Sequence, residues 1–273
     1  MSNTSTITRR RMMQTLAAAA AIGSAANEAG AQPATIPRAD TLIATGQPTG
    51  GAPTFAQYND FNPFHPGLDL RSSIAFVLEP LYFYSVLPDK MLPWLAEGFD
   101  YNADNTAITV RLRKNVNWND GTAFTADDVI FTLDILKQNG QGKGDQLYAS
   151  AMARDIKQLE RIDDHTLRIE LTHADPRWFF TYMTVRFTEG MFILPKHIYA
   201  ATTAADMASF TALSPDMPNG PVGTGPFKIA SLTPERIILD RRDDWWGAKT
   251  GFRPLPAMKR VIFVPFTTHE QAA

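Results

Sequence analysis

Apolar and polar positions alternate most regularly over residues 106–136. Ile108, Val110 and Leu112 alternate with Thr109, Arg111 and Arg113, the two-residue period of a strand with one face buried. The pattern breaks at Asn115-Val116-Asn117-Trp118-Asn119-Asp120-Gly121, where Asp120-Gly121 is a tight-turn pair. Thr125 then stands as a helix N-cap. Asp127 and Asp128 fall in the first turn, against the free N–H groups and the positive end of the helix dipole. Val129, Leu133 and Leu136 continue with helical spacing. A strand, an aromatic turn and an acid-capped helix are expected here.

The same reading extends to both sides. Thr41-Leu42-Ile43-Ala44-Thr45 predicts a short buried strand, ended by Gly46 and the Gly50-Gly51-Ala52-Pro53 loop. Tyr58-Asn59-Asp60-Phe61-Asn62-Pro63-Phe64-His65-Pro66 is a run of aromatics and amides that two prolines keep out of any regular element. Its side chains either cover a core edge or face a cavity. A helix is expected over residues 74–81 and a glycine-rich loop over 137–145. Two strands, 156–162 and 166–171, flank the turn Asp163-Asp164-His165, with Leu167, Ile169 and Leu171 on one face. An aromatic helical segment is expected over 176–187, with Trp178, Phe179 and Tyr182. Pro221-Val222-Gly223-Thr224-Gly225-Pro226-Phe227-Lys228 reads as a tight corner whose glycines let strands approach closely. Residues 237–239 and 259–266 read as strands.

Composition narrows the chemistry. The chain has 273 residues, 44% hydrophobic and 20% charged, with a net charge of −2, an ordinary globular balance that does not point to nucleic acid. It has no cysteine, which excludes disulfides, thiolate metal sites and cysteine nucleophiles. No apolar run approaches the roughly 20 residues of a membrane span. His165 and His173 share a parity, but an extended chain would hold them about 26 Å apart, too far to share an ion. No metal-binding, dinucleotide or nucleophile-elbow pattern is present, so no metal, cofactor or catalytic residue is expected. His197 reads as a capping or packing residue, with no serine or acid partner placed beside it in a motif.

The N-terminus reads as an address. Thr8-Arg9-Arg10-Arg11-Met12-Met13 carries paired arginines, residues 16–22 form a weak alanine-rich apolar stretch, and Ala29-Gly30-Ala31 is a small-x-small cleavage site. Export by the twin-arginine route, cleavage after Ala31 and a periplasmic product are expected, with residues 32–39 as a tether.

Several motifs, taken in order, resemble one family. Arg111-Leu112-Arg113-Lys114-Asn115-Val116-Asn117-Trp118-Asn119-Asp120-Gly121 with Phe124-Thr125-Ala126-Asp127-Asp128-Val129 resembles the signature of family 5 extracellular solute-binding proteins, the peptide, nickel and oligosaccharide receptors of bacterial ABC importers. Asn62-Pro63, Glu79 to Leu81 with Pro93-Trp94-Leu95-Ala96-Glu97, Ile193 to His197, Gly223-Thr224-Gly225-Pro226-Phe227 and Arg241 to Gly247 are similar to further family segments. The resemblance makes Trp118 a plug for its turn, Asp120 the residue that closes it, and Glu79 and Trp94 framework residues. It implies an α/β fold like that of periplasmic binding proteins (type II, the large three-subdomain variant) with the second lobe mostly missing. A first lobe would comprise residues 32–75 and 196–264, a small subdomain 76–195, and the start of a truncated second lobe 265–273.

Solute capture without bond making follows from the resemblance. An oligopeptide or oligosaccharide would be lined by Tyr58, Phe61, Asn62, Trp245 and Trp246, and a monomeric receptor would deliver it to an ABC permease in the inner membrane. A metal complex is a weaker solute candidate. The alternatives are a periplasmic enzyme (a twin-arginine-exported oxidoreductase or a hydrolase) or a chemosensory binding module. Family members run to about twice this length, so the chain is expected to be a fragment or an interrupted reading frame.

Overall fold

The computed structural model describes residues 35–46, 54–55, 62–65, 71–142, 144, 146–187, 190–209 and 221–265. The chain divides into Met1–Thr35 and Ile36–Ala273, and the fold described below is that of the second unit. The residues read as an export signal, the Gly50-Gly51-Ala52-Pro53 loop, Tyr58, Phe61 and residues 266–273 of the expected second-lobe start lie outside the described residues.

One mixed sheet is assembled from the two ends of the unit. Strand β1 (Thr41–Gly46) runs parallel to β11 (Arg260–Pro265), which pairs antiparallel with β10 (Arg236–Arg241) and through it with β9 (Phe227–Thr233). In register, Leu42 lies beside Val261, and Val261 lies opposite Leu239. Helix α1 (Arg71–Val77) covers that face, with Phe76 edge-on to Phe227 at 5.4 Å and to Phe263 at 5.7 Å. The strand over residues 41–45 forms as expected but is not buried: Leu42 and Ile43 are 45% and 47% exposed. Among the described residues its one neighbour is β11, so an apolar run that reads as central serves there as an edge.

The segment between supplies two more sheets. Strands β2 (Tyr82–Ser85) and β3 (Lys90–Pro93) form a hairpin extended in parallel by β8 (Thr184–Val185). Strands β4 (Ala96–Tyr101), β5 (Ala107–Leu112), β6 (Ile156–Asp163) and β7 (Thr166–Leu171) form the second, in the order β4-β5-β7-β6. The alternation at Ile108, Val110 and Leu112 sends those side chains into the core, each 2% exposed or less. Helix α2 (Ala126–Gln141) buries Val129, Leu133 and Leu136 at its expected spacing.

Three boundaries differ from the sequence reading. The helix expected over 74–81 ends at Val77, because Pro80 disfavours helical backbone at the residue before it. The aromatic segment 176–187 is helical only in α4 (Trp178–Tyr182), after which β-branched Thr184 and Val185 join the open edge of β2. Helix α2 runs through the expected loop at 137–141 and crosses α3 (Ala149–Asp155) closely. A Cβ at Gly140 would lie 2.1 Å from the Ala149 carbonyl oxygen, so glycine there serves the crossing.

Candidate functional site

Three motifs far apart in the chain converge on the carboxyl of Glu79. This residue follows α1 on the way to the β2–β3 hairpin and is 1% exposed. Its Oε1 accepts the Trp94 indole N–H at 2.8 Å, and its Oε2 accepts that of Trp246 at 2.7 Å. Trp94 belongs to the turn after β3, whereas Trp246 opens the short helix α6 (Trp246–Lys249), which comes after α5 (Lys196–Tyr199) in the chain and 167 residues after Glu79. Thr224 and Trp245 face the same carboxyl. Their Oγ1 and Nε1 atoms are buried and meet no hydrogen-bond partner other than this carboxyl among the described residues. Burial raises Glu79 to a pKa of about 7, against the opposing pull of these donors.

The surrounding geometry keeps cations off this acid. Arg113 lies 4.1 Å over the Phe252 ring and 5.9 Å over Trp246, and Arg253 lies 5.6 Å over Trp94. These guanidinium groups cover the aromatic faces. Behind Glu79, Gly225 N–H donates to the Val77 carbonyl at 2.9 Å. A Cβ at Gly223 would lie 2.1 Å from Val77 O, and one at Gly225 would lie 2.4 Å from Phe76 O. The glycines do permit a close approach, and their partner is the end of a helix. Buried Arg242 ties the corner together by donating to Gly223 O at 3.2 Å and to Gly225 O at 3.0 Å. A half-open cavity of about 320 Å³, walled by Glu79, Phe76, Phe83, Trp94, Phe227 and Val261 among others, adjoins the cluster.

A second buried acid organises the signature turn. Trp118 is 1% exposed and edge-on to Phe124, so it plugs the turn as expected. Its indole N–H donates to Asp128 Oδ2 at 3.4 Å. Asp128 also accepts the backbone N–H of Thr125 at 2.9 Å and of Lys196 at 2.8 Å, the first being the return arm of a capping box. Burial raises its pKa, while these donors and His197 hold it down. Asp120 closes the turn by accepting Thr122 N–H at 2.9 Å. Its other oxygen meets His197 Nε2 at 2.6 Å, so His197 does have an acid partner, 77 residues away and invisible as a motif. Burial pushes Asp120 upward, but the Thr122 and His197 contacts outweigh it and leave the carboxyl below its ordinary range. Among the described residues no group of three His, Cys, Asp or Glu side chains could hold a metal ion.

The residues expected to line a cleft fall into two settings. Asn62 is buried, its Nδ2 donating to Gln146 Oε1 at 2.7 Å and to Met207 O at 2.9 Å, its Oδ1 accepting Phe64 N–H at 3.0 Å. Trp245 and Trp246 pack edge-on at 5.6 Å, are each 2% exposed, and belong to the Glu79 cluster. Tyr58 and Phe61 lie outside the described residues. Glu79 itself was legible only as one letter of a framework motif.

Comparison with known proteins gives the family of the chain. Residues 90–273 match the model of bacterial extracellular solute-binding proteins, family 5 middle. The peptidoglycan-binding protein YepA of Agrobacterium fabrum is 29% identical over 217 residues, which cover 77% of this chain and 30% of that one. A Brucella ovis protein named as an ABC transporter peptide-binding protein is 28% identical over 172 residues, covering 63% and 30%. The mannohexaose-bound periplasmic oligopeptide-binding protein of Thermotoga maritima superposes with a TM-score of 0.67 at 27% identity, covering 87% of this chain and 40% of that one. The chain thus spans about a quarter to a third of the curated relatives it matches and two fifths of the solved structure. Its fold is that of the type II periplasmic binding proteins, and the chain belongs to family 5 of the bacterial extracellular solute-binding proteins.

Proposed function

We propose that this chain supplies the first lobe and small subdomain of a monomeric periplasmic receptor that captures an oligopeptide or oligosaccharide and passes it to an inner-membrane ABC permease. The observation that carries this reading is the family match over residues 90–273. The Thermotoga relative is named for oligopeptides and was solved with mannohexaose, and YepA is named for peptidoglycan, a polymer of sugar and peptide. The lobe would comprise residues 32–75 with 196–264, and the subdomain residues 76–195. Export would use the twin-arginine leader, with cleavage after Ala31.

Solute contact falls to the aromatic and amide segment. Asn62 is held by its buried hydrogen bonds, and Tyr58 and Phe61 would supply aromatic contact to sugar C–H surfaces or peptide side chains. Trp246 acts from behind, by fixing the lobe through Glu79, with Trp245 packed against it. Titration calorimetry of the whole receptor that contains this chain, against oligopeptides, mannohexaose and disaccharide-peptide fragments, tests this. Heat with one class, weakened several-fold by Tyr58→Ala or Phe61→Ala, is the expected result. Wild-type affinity in both variants, or no heat with any class, would overturn it.

A further inference from the structure

We propose that Glu79 is a proton-operated clamp: with its proton it holds the β2–β3 hairpin and the β10–α6 corner together as one dry cluster, and without it the seam takes up water and loosens. The geometry assigns this role, independently of which solute is captured. One carboxyl spans two elements that nothing in the chain order brings together, taking Trp94 on one oxygen and Trp246 on the other. When protonated, its O–H can donate to the buried, otherwise unpartnered Thr224 Oγ1, while both indoles still donate to its oxygens. When ionised, it leaves a full charge in an aromatic enclosure that supplies dipoles but no counter-ion. The adjoining 320 Å³ cavity is lined by Glu79 itself and offers water a way to the carboxyl.

Charged groups on the hairpin, the corner and the segment around Ile193 are engaged elsewhere. Beside the hairpin, Arg113 donates its Nε–H to Trp94 O at 2.9 Å and lies 3.6 Å from Glu97, while Arg253 covers the Trp94 ring. On the corner, Arg242 serves Gly223 O and Gly225 O and pairs with Asp244 at 3.3 Å, and Arg241 pairs with Asp243 at 2.8 Å. On the segment whose Ile193 N–H meets the Glu79 carbonyl, Lys196 pairs with Asp127 at 3.5 Å. The cavity wall contains no second titratable side chain. Glu79 therefore titrates against dipoles alone, and its proton is the variable that sets the seam.

The test is tryptophan emission and acrylamide quenching of the full chain, titrated over about two pH units on either side of neutrality. Three of the five tryptophans surround Glu79, so the wild type should show one transition centred at about pH 7, with easier quenching on the alkaline side. Glu79→Gln should abolish it. Trp94→Phe keeps an aromatic ring but removes a donor to the ionised form, so the midpoint should rise by about one pH unit. Trp118 lies 6.3 Å from the His197 ring, and His197→Gln should leave the transition in place. Should Glu79→Gln fail to fold, the Trp94→Phe shift decides. A wild type without a transition, an unmoved or lowered midpoint in Trp94→Phe, persistence in a folded Glu79→Gln, or loss in His197→Gln would each overturn the proposal.

Discussion

Glu79 and Asp128 are both buried acids that accept an indole N–H, yet their surroundings treat the negative charge in opposite ways. Asp128 sits at the start of α2, where two backbone N–H groups and the helix dipole meet a carboxylate, and His197 adds to that support. Glu79 follows the end of a helix, and its donors are indoles. Both carboxyls are raised by burial, and only Glu79 is raised as far as about 7. Backbone amides at a helix start can keep a charge in a core at neutral pH. Indole donors alone leave a site where a proton competes.

The largest effect should come from the anchor of the Asp128 side. Trp118→Ala removes a fully buried indole and should lower unfolding free energy by about 3–5 kcal/mol in denaturant titration. A loss below about 1 kcal/mol would mean that the turn does not depend on its plug.

The pH dependence of stability separates the two acids next. Between the ordinary glutamate value of 4.5 and about 7, folded Glu79 keeps a proton that the unfolded chain releases. Its contribution is therefore complete below pH 4.5, falls as pH rises, and is gone above about 7, a change of about 3 kcal/mol. Glu79→Gln should flatten that slope. Asp128 acts in the same direction and by less, and Asp120 and Asp163, both lowered, act only as pH falls below the aspartate value of 3.8.

At neutral pH, Asp128→Asn should cost about 2 kcal/mol, because the amide loses one of the acceptor oxygens that close the cap. Glu79→Gln near pH 5 also turns one indole-accepting oxygen into an N–H donor, but it removes no charge and should cost less. The smallest change is Trp94→Phe, which gives up one hydrogen bond and should cost about 1 kcal/mol below pH 6 by thermal unfolding. Equal costs for Asp128→Asn and Glu79→Gln at their respective pH values would erase the distinction.

What the sequence disclosed follows the reach of each interaction. The alternation in β5, the Thr125 cap and the heptad-like spacing of Val129, Leu133 and Leu136 act over a few residues and are legible directly. Glu79 and Trp94 are recognised as framework only through the resemblance of their segments to the family, and they do bond each other. The meeting of Glu79 with Trp246 and of Asp120 with His197 depends on chain closure over 167 and 77 residues, which local periodicity does not encode. The exposure of β1 was hidden for a related reason, since Leu42 and Ile43 are apolar whether the strand is central or at an edge. The twin-tryptophan pair reads equally well as stacking surface or as packing, and only its indole hydrogen bond to a distant acid separates those uses.

Carbon NMR titration of the side-chain carboxyls of Glu79 and Asp128 in the full chain measures the contrast itself. The expected result is a Glu79 midpoint at about 7, well above that of Asp128. A Glu79 carboxyl that titrates at or below Asp128 would contradict it.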